Sequence, residues 1–209
     1  MNLLTYEKSC YKEGKKYIAG VDEVGRGPLC GPVVACACIL PKNYKLEGLT
    51  DSKKLSEKKR EAFYDILIHD AISYGIGIIS PKRIDEINIY EATKEAMKEA
   101  IAQLNPKPDH VLIDAMPLEL EMPSTSIIKG DAKSISIAAA SVIAKVTRDR
   151  MMVELDKKYP QYGFASHKGY PTKKHIEAVK ENGILEFYRF TFSPISDLIK
   201  EDSEGVLNG

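Results

Sequence analysis

The sequence predicts an α/β fold: a sheet covered by helices on both faces, with a small helical appendage after about residue 160. Three observations predict it. Short apolar runs of strand length come early, at residues 17–22, 33–40 and 73–79. Helical periodicity appears at 56–69, 81–104 and 134–159. A loop-like stretch, Pro160 to Thr172, sets off the last helices. At 209 residues and 44% apolar content, the chain suits one large domain or one domain with an appendage.

The elements follow in order. Tyr17 to Asp22 reads as a strand entering a glycine-rich turn, and residues 33–40 as a buried strand. Cys36 and Cys38 lie two apart, so they share one face as small core residues. A zinc site would need further ligands at suitable spacing. Ser56 caps a helix to about His69, with Phe63, Ile66 and Leu67 on its apolar face. Residues 81–104 read as a short helical piece followed by a longer one carrying Ala92, Ala96, Met97, Ala100 and Leu104. Asn105-Pro106-Lys107-Pro108 stops it. His110 to Asp114 and the region of Ser126–Ile128 are short strands. A long helix from Ser134 is so rich in small residues, Ser136 to Ala144, that it must pack closely. Lys173 to Glu181 is a helix ended by Asn182-Gly183, and a short helix lies near Pro194–Lys200 before a polar tail.

Composition narrows the function classes. Lys plus Arg and Asp plus Glu both number 30, so net charge by itself does not announce a nucleic-acid binder. Its distribution matters more. Lys42, Lys45, Lys53, Lys54, Lys58, Lys59 and Arg60 form one basic group, and Lys168, Lys173 and Lys174 another. Either alone reads as a solvated face; together they can line a groove for a phosphate backbone. No run approaches the ~18 apolar residues that span a membrane. Residues 1–16 lack the apolar core of a signal peptide, so a cytoplasmic, reducing compartment is expected for Cys10, Cys30, Cys36 and Cys38.

The chemistry concentrates where an apolar strand ends in Asp22 and Glu23. Two carboxylates there need a cation or strong donors. Strand residues alternate in direction, so both reach one site only if the turn already bends Glu23 out. Gly25 and Gly27 permit such a turn and bring backbone N–H groups close to a ligand. The plainer alternative is an exposed acidic strand end capped by Arg26. The stretch is neither a Walker phosphate loop nor a dinucleotide fingerprint. Asp114 ends a second apolar strand, and Asp131 sits at the start of the small-residue helix, where a capping role competes. Asp149 rivals Asp131, but 149 − 131 = 18 helical positions separate them by ~27 Å, so one at most can join. Asp149, between Arg148 and Arg150, reads as an ion-pair residue on a solvated face, and Asp131 is chosen. Converging oxygen ligands suit Mg²⁺ or Mn²⁺, and two such ions ~3.5–4 Å apart serve phosphodiester hydrolysis. In Ser166 to Thr172, Tyr170 stands among small and basic residues, as a surface tyrosine or as one that stacks on a sugar or base.

With these pieces assembled, the sequence closely resembles the bacterial type 2 ribonuclease H family. The resemblance is carried by Asp22 to Val34, Asp51-Ser52-Lys53-Lys54-Leu55, Ile113-Asp114-Ala115, Lys129-Gly130-Asp131, Ala138 to Asp149 and His167 to Thr172, in family order over most of 17–192. It implies a ribonuclease-H-like mixed central sheet flanked by helices. It implies a short segment over 1–16, a catalytic core over 17–160, and a C-terminal loop and helical part over 161–209 completing the substrate groove. It implies Asp22, Glu23, Asp114 and Asp131 as catalytic metal ligands for two Mn²⁺ or Mg²⁺ ions. Gly25-Arg26-Gly27 would read the 2′-hydroxyl at an RNA–DNA junction, Tyr170 would stack on the neighbouring sugar, and Lys53 would bind substrate. The implied substrates are RNA–DNA hybrids and duplex DNA carrying a ribonucleotide, cut on its 5′ side to leave 3′-hydroxyl and 5′-phosphate ends. A monomer with no membrane partner is expected. Residues 203–209 show no convincing clamp-binding motif, so a sliding clamp stays open. The competing readings are a resolvase or integrase of the same fold and a non-catalytic nucleic-acid-binding module.

Overall fold

The structure, a computed structural model, describes residues 3–200. Its strands are β1 Ile18–Val24, β2 Val33–Ile39, β3 Ser73–Ile79, β4 His110–Asp114 and β5 Ser124–Ile127. They form one mixed sheet in the order β3-β2-β1-β4-β5. β1 runs antiparallel to β2 and parallel to β4, and β4 runs parallel to β5. The helices are α1 Thr5–Lys12, α2 Glu57–Asp70, α3 Pro81–Ala102, α4 Ile135–Lys158, α5 Phe164–His167 and α6 Lys173–Asn182. Residues 195–200 are also helical, whereas the polar tail from 201, on which the clamp-motif reading rests, lies outside the described residues.

The chain divides into two compact units. The first comprises Met1–Val24, Val34–Ile78 and Thr93–Thr147, and the second Gly25–Val33, Ile79–Ala92 and Arg148–Gly209.

In the first unit, alternation along β1 turns Ile18, Gly20 and Asp22 to one face. Register pairs Gly20 with Cys38 and Asp22 with Cys36. Both cysteines are fully buried, free, and packed with Phe63 and Leu67 of α2 and the Ala138–Ala140 stretch of α4. Here α4 comes so close that a Cβ on Gly20 would lie 2.0 Å from the Ser136 carbonyl carbon. The small-residue run thus lets helix and strand backbones touch. α3 covers β3, its Ala96 and Ala100 backbone lying over Gly77 and Gly75. α3 is broken at Asn88, whose φ of 68° and ψ of 164° separate the two pieces. The Ser56 hydroxyl accepts Lys59 N–H at 3.3 Å as the expected cap. The N-terminus of α4 is served by Ser134, whose hydroxyl accepts Ile137 N–H at 3.2 Å. Buried Glu7 of α1 accepts from that hydroxyl at 2.6 Å and from Ser136 N–H at 3.1 Å. A carboxylate at a helix N-terminus is favoured by the helix dipole.

Three local expectations need correction. Residues 160–172 are not a plain loop: Pro160–Tyr162 forms a 3-10 turn and α5 follows, Pro160 starting the first and left-handed Gly163 the second. Asp131 is not at the start of α4: it sits in a separate 3-10 turn, Gly130–Ala132. Asp149 is not on a solvated face; it is buried.

Candidate metal centre and the glycine turn

Asp22, Asp114 and Asp131 each offer an oxygen, and the three lie within 4.8 Å of one another. The fold explains the convergence. β1 and β4 are parallel neighbours, with Gly20 beside Leu112 and Val21 beside Ile113, so both strands bring a carboxylate to the same end of the sheet. The 3-10 turn supplies the third. Its Gly130 N–H donates to Asp114 Oδ1 at 2.6 Å, fastening turn to strand.

The three carboxyls are held under electrostatic stress. Asp22 is buried, and burial pushes its carboxyl well above the usual range, with the charges of Glu23 and Asp114 adding to the rise. Burial raises Asp114, against Gly130 N–H and Lys53, which pull it down. Burial raises Asp131, and Asp51 and Asp114 add to the effect. Like charges crowded in a low-dielectric pocket call for a cation, and an all-oxygen donor set fits a hard divalent ion.

Glu23 is not in this cluster of three. β1 does not bend before it: pairing continues through Glu23–Ala35 and Val24–Val34. Regular alternation therefore starts its side chain towards the opposite face from Asp22. The expectation that the turn bends Glu23 out fails, because the turn begins at Gly25. Its charge is nonetheless the foremost one acting on Asp22, ahead of Asp114.

Three residues join the centre without having been expected there. Ser141 donates to Asp22. Its only hydroxyl proton is then used, so Ser52 Oγ donates to Ser141 Oγ at 2.9 Å. Asp51 acts on Asp131, raising its carboxyl, and caps its own turn by accepting Lys53 N–H at 2.9 Å. Arg60 braces this turn through Ser52 O at 3.0 Å and Leu55 O at 2.5 Å. Lys53 itself is exposed, and its charge acts on both Asp114 and Asp131.

The second unit holds Gly25, Arg26, Gly27 and Tyr170. Two fully buried arginines shape the glycine turn. Arg189 donates to Gly25 O at 2.5 Å, Arg26 O at 2.9 Å and Gly31 O at 2.9 Å. Arg148 donates to Pro32 O at 3.0 Å, Cys30 O at 3.1 Å and Lys168 O at 2.9 Å. Gly25 has a φ of +93°, and a Cβ there would strike the Arg148 side chain at 2.3 Å. Burial, then the Arg148 charge, brings Arg189 down to about 9. Tyr170 is partly exposed, and its ring edge lies 3.5 Å from where a Gly27 Cβ would stand. Gly169 O accepts Leu29 N–H at 2.8 Å, tying the Tyr170 loop to the chain leaving the glycine turn.

Beneath that loop, His175 is fully buried, and burial lowers its imidazole to about 4. Between pH ~6.5 and ~4 the unfolded chain takes a proton that the folded one refuses, so stability falls as pH falls through this window, by at most about 3 kcal/mol. Urea unfolding from pH 7 to 4.5 is expected to show this slope in the wild type and a shallower one in His175→Asn. Equal slopes would exclude a neutral buried His175.

Among the described residues, no helix is long and apolar enough to cross a membrane. The Ribonuclease HII family model matches residues 19–194. Ribonuclease HII of Bacillus cytotoxicus is 60% identical over 200 residues, covering 96% of this chain and 77% of that protein. Ribonuclease HII of Bacillus cereus is 59% identical, covering 96% and 78%. Among solved structures, ribonuclease H2 of Pyrococcus horikoshii OT3 superposes with a TM-score of 0.76 at 31% identity, covering 89% of this chain and 98% of that one. Ribonuclease HII in the Archaeoglobus fulgidus PCNA complex gives 0.73 at 28% identity, covering 85% and 96%. The chain belongs to the ribonuclease HII family: it is a divalent-metal-dependent ribonuclease H, an endonuclease of the hydrolase class.

Proposed function

We propose that the chain hydrolyses the RNA strand of RNA–DNA hybrids and cuts on the 5′ side of a single ribonucleotide within duplex DNA, leaving 3′-hydroxyl and 5′-phosphate ends. The observation that carries this reading is the set of three carboxylates whose oxygens lie within 4.8 Å of one another. Asp22, Asp114 and Asp131 would hold the ions; Glu23, the fourth ligand that the family resemblance implies, would have to turn its side chain to the Asp22 face to join them. Two bound Mg²⁺ or Mn²⁺ ions supply an activated water and stabilise the leaving oxygen.

The chain's own residues do the positioning. Ser141 and Gly130 N–H orient Asp22 and Asp114. Lys53 offers an exposed positive charge suited to a phosphate. The backbone of Gly25-Arg26-Gly27, its Gly25 and Arg26 carbonyls held by Arg189, would read a ribose 2′-hydroxyl. Tyr170, over a residue without a side chain, keeps a ring face for stacking on the adjoining sugar. A resolvase or integrase needs the carboxylates but no ribose reader. The chain is read as acting as a single copy, and its buried free thiols fit a reducing cytosol.

A duplex DNA carrying one ribonucleotide is expected to be nicked on the ribonucleotide's 5′ side with Mg²⁺ or Mn²⁺, and left intact with EDTA. End-labelled product sizing checks it. No nick with either ion sinks the single-ribonucleotide reading, and a nick on the 3′ side overturns the assigned polarity.

A further inference from the structure

Two stacked imidazoles support the loop that carries Tyr170. The rings of His167 and His175 lie 4.0 Å apart between centroids, with planes 16° apart. Every ring nitrogen has a partner. His175 Nδ1 is 2.9 Å from Tyr170 O, and His175 Nε2 is 2.8 Å from the Tyr188 hydroxyl. His167 Nε2 is 2.8 Å from Tyr162 O, and His167 Nδ1 accepts Gly169 N–H at 3.1 Å.

These partners dictate the protons. A carbonyl only accepts, so His175 carries its proton on Nδ1 and His167 on Nε2. The remaining lone pairs accept the Tyr188 hydroxyl and the Gly169 N–H. The two rings therefore grip the residues on either side of one peptide bond, Gly169 through its N–H and Tyr170 through its carbonyl. Lys168 and Gly169, with φ of 51° and 87°, turn the chain sharply just before Tyr170. Lys168, a residue with a side chain, holds this conformation only when its surroundings impose it.

We propose that His175, backed by His167 and Tyr188, is a positioning residue that fixes the stacking ring of Tyr170 over Gly27. This rests on the reading of Tyr170 as the stacking residue. Base–aromatic stacking accounts for roughly 10- to 100-fold in affinity, which sets an upper guide for a ring on the adjoining sugar, and a residue acting through Tyr170 cannot exceed what Tyr170 itself supplies.

The two nitrogens can be removed separately. Asn at position 175 puts an amide N–H near the Nδ1 position, so it can still donate to Tyr170 O. Gln reaches the Nε2 position, keeps an acceptor for Tyr188, and loses the Tyr170 bond. On a duplex with one ribonucleotide, His175→Gln is expected to lower kcat/KM about 10-fold, mostly through KM. His175→Asn is expected to restore it to within about threefold of wild type. In a Tyr170→Ala background, His175→Gln is expected to cost nothing further, because the residue it positions is gone.

An equal fall in both backgrounds, or Gln and Asn behaving alike, overturns the proposal while the stacking reading stands. A silent Tyr170→Ala overturns the stacking reading and the proposal together. If His175→Gln does not fold, Tyr188→Phe carries the same cycle, since it removes one hydroxyl and keeps the ring. A fall that vanishes with Tyr170→Ala supports the proposal; no fall, or an equal one in both backgrounds, overturns it.

Discussion

Replacing Asp22 by Asn is expected to lower kcat by about 10³-fold or more, or about 4 kcal/mol of transition-state stabilisation. The change is nearly isosteric. Asn Oδ1 can still accept the Glu23 N–H that Asp22 accepts at 2.8 Å, and its amide can donate to Ser141. The fold therefore survives, and only the charge and the ligand oxygen are lost. A second consequence separates a ligand from a merely structural acid. Burial pushes the Asp22 carboxyl well up, and the charges of Glu23 and Asp114 add to the rise. Neutralising it relieves that repulsion, so the metal-free variant is expected to melt at or above the wild-type Tm. Mg²⁺ at about 100 times its Kd stabilises a binding protein by about 2.7 kcal/mol, and the variant is expected to forgo most of that gain. Calorimetry with and without Mg²⁺ checks this alongside the cleavage rate. A variant within about tenfold of wild-type activity, or with an equal Mg²⁺-induced rise in Tm, excludes Asp22 as a ligand. Asp114→Asn follows the same logic, with Gly130 N–H still accepted and binding of the hybrid retained.

Sequence pattern reveals what is local. β3 spans Ser73–Ile79 as its apolar run indicates, and α3 has the short and longer pieces expected over 81–104, the structure placing the break at Asn88. Asp22 and Asp114 are conspicuous because each charge ends an apolar strand, and parallel pairing of β1 with β4 then joins them. What pattern misses is non-local or ambiguous. Ser141 reads as one more small packing residue in α4, and only the fold aims its hydroxyl at Asp22. Asp51 is masked by the lysines after it. Arg148 and Arg189 look like solvent-facing charges, yet both are fully buried and spend their donors on backbone carbonyls brought in from residues 25–32 and 168. Glu23 shows the limit of a local rule: alternation is the right geometry, but the strand carries it further than the glycines imply.

Gly20→Ala is expected to be the most damaging substitution of a residue that does no chemistry. Its φ is unexceptional, so the requirement is for space rather than for backbone freedom. An added methyl would sit 2.0 Å from Ser136 C, 2.2 Å from Ile137 N and 2.3 Å from Ser136 O. These are backbone atoms of a 24-residue helix, so no side-chain rotation can clear them. α4 must shift bodily from β1, and the shift opens the packing of Ala138, Ala139 and Ala140, each fully buried. Overpacking a tight core costs roughly 1–3 kcal/mol where side chains can yield, and rather more is expected against backbone. At about 2–4 °C per kcal/mol for a chain of this size, Tm is expected to fall by roughly 10 °C. Activity is expected to fall further than stability alone accounts for. Ser141, five residues along the same helix from Ser136, orients Asp22, which lies two residues beyond Gly20 on the same face of β1. Moving the helix therefore moves the hydroxyl away from the carboxylate. Measured well below the lowered Tm, kcat should drop while hybrid binding through exposed lysines persists. A Tm within about 2 °C of wild type would mean that α4 and β1 do not touch at Gly20. An unchanged kcat in a destabilised variant would mean that the close approach serves the fold and leaves the metal centre untouched.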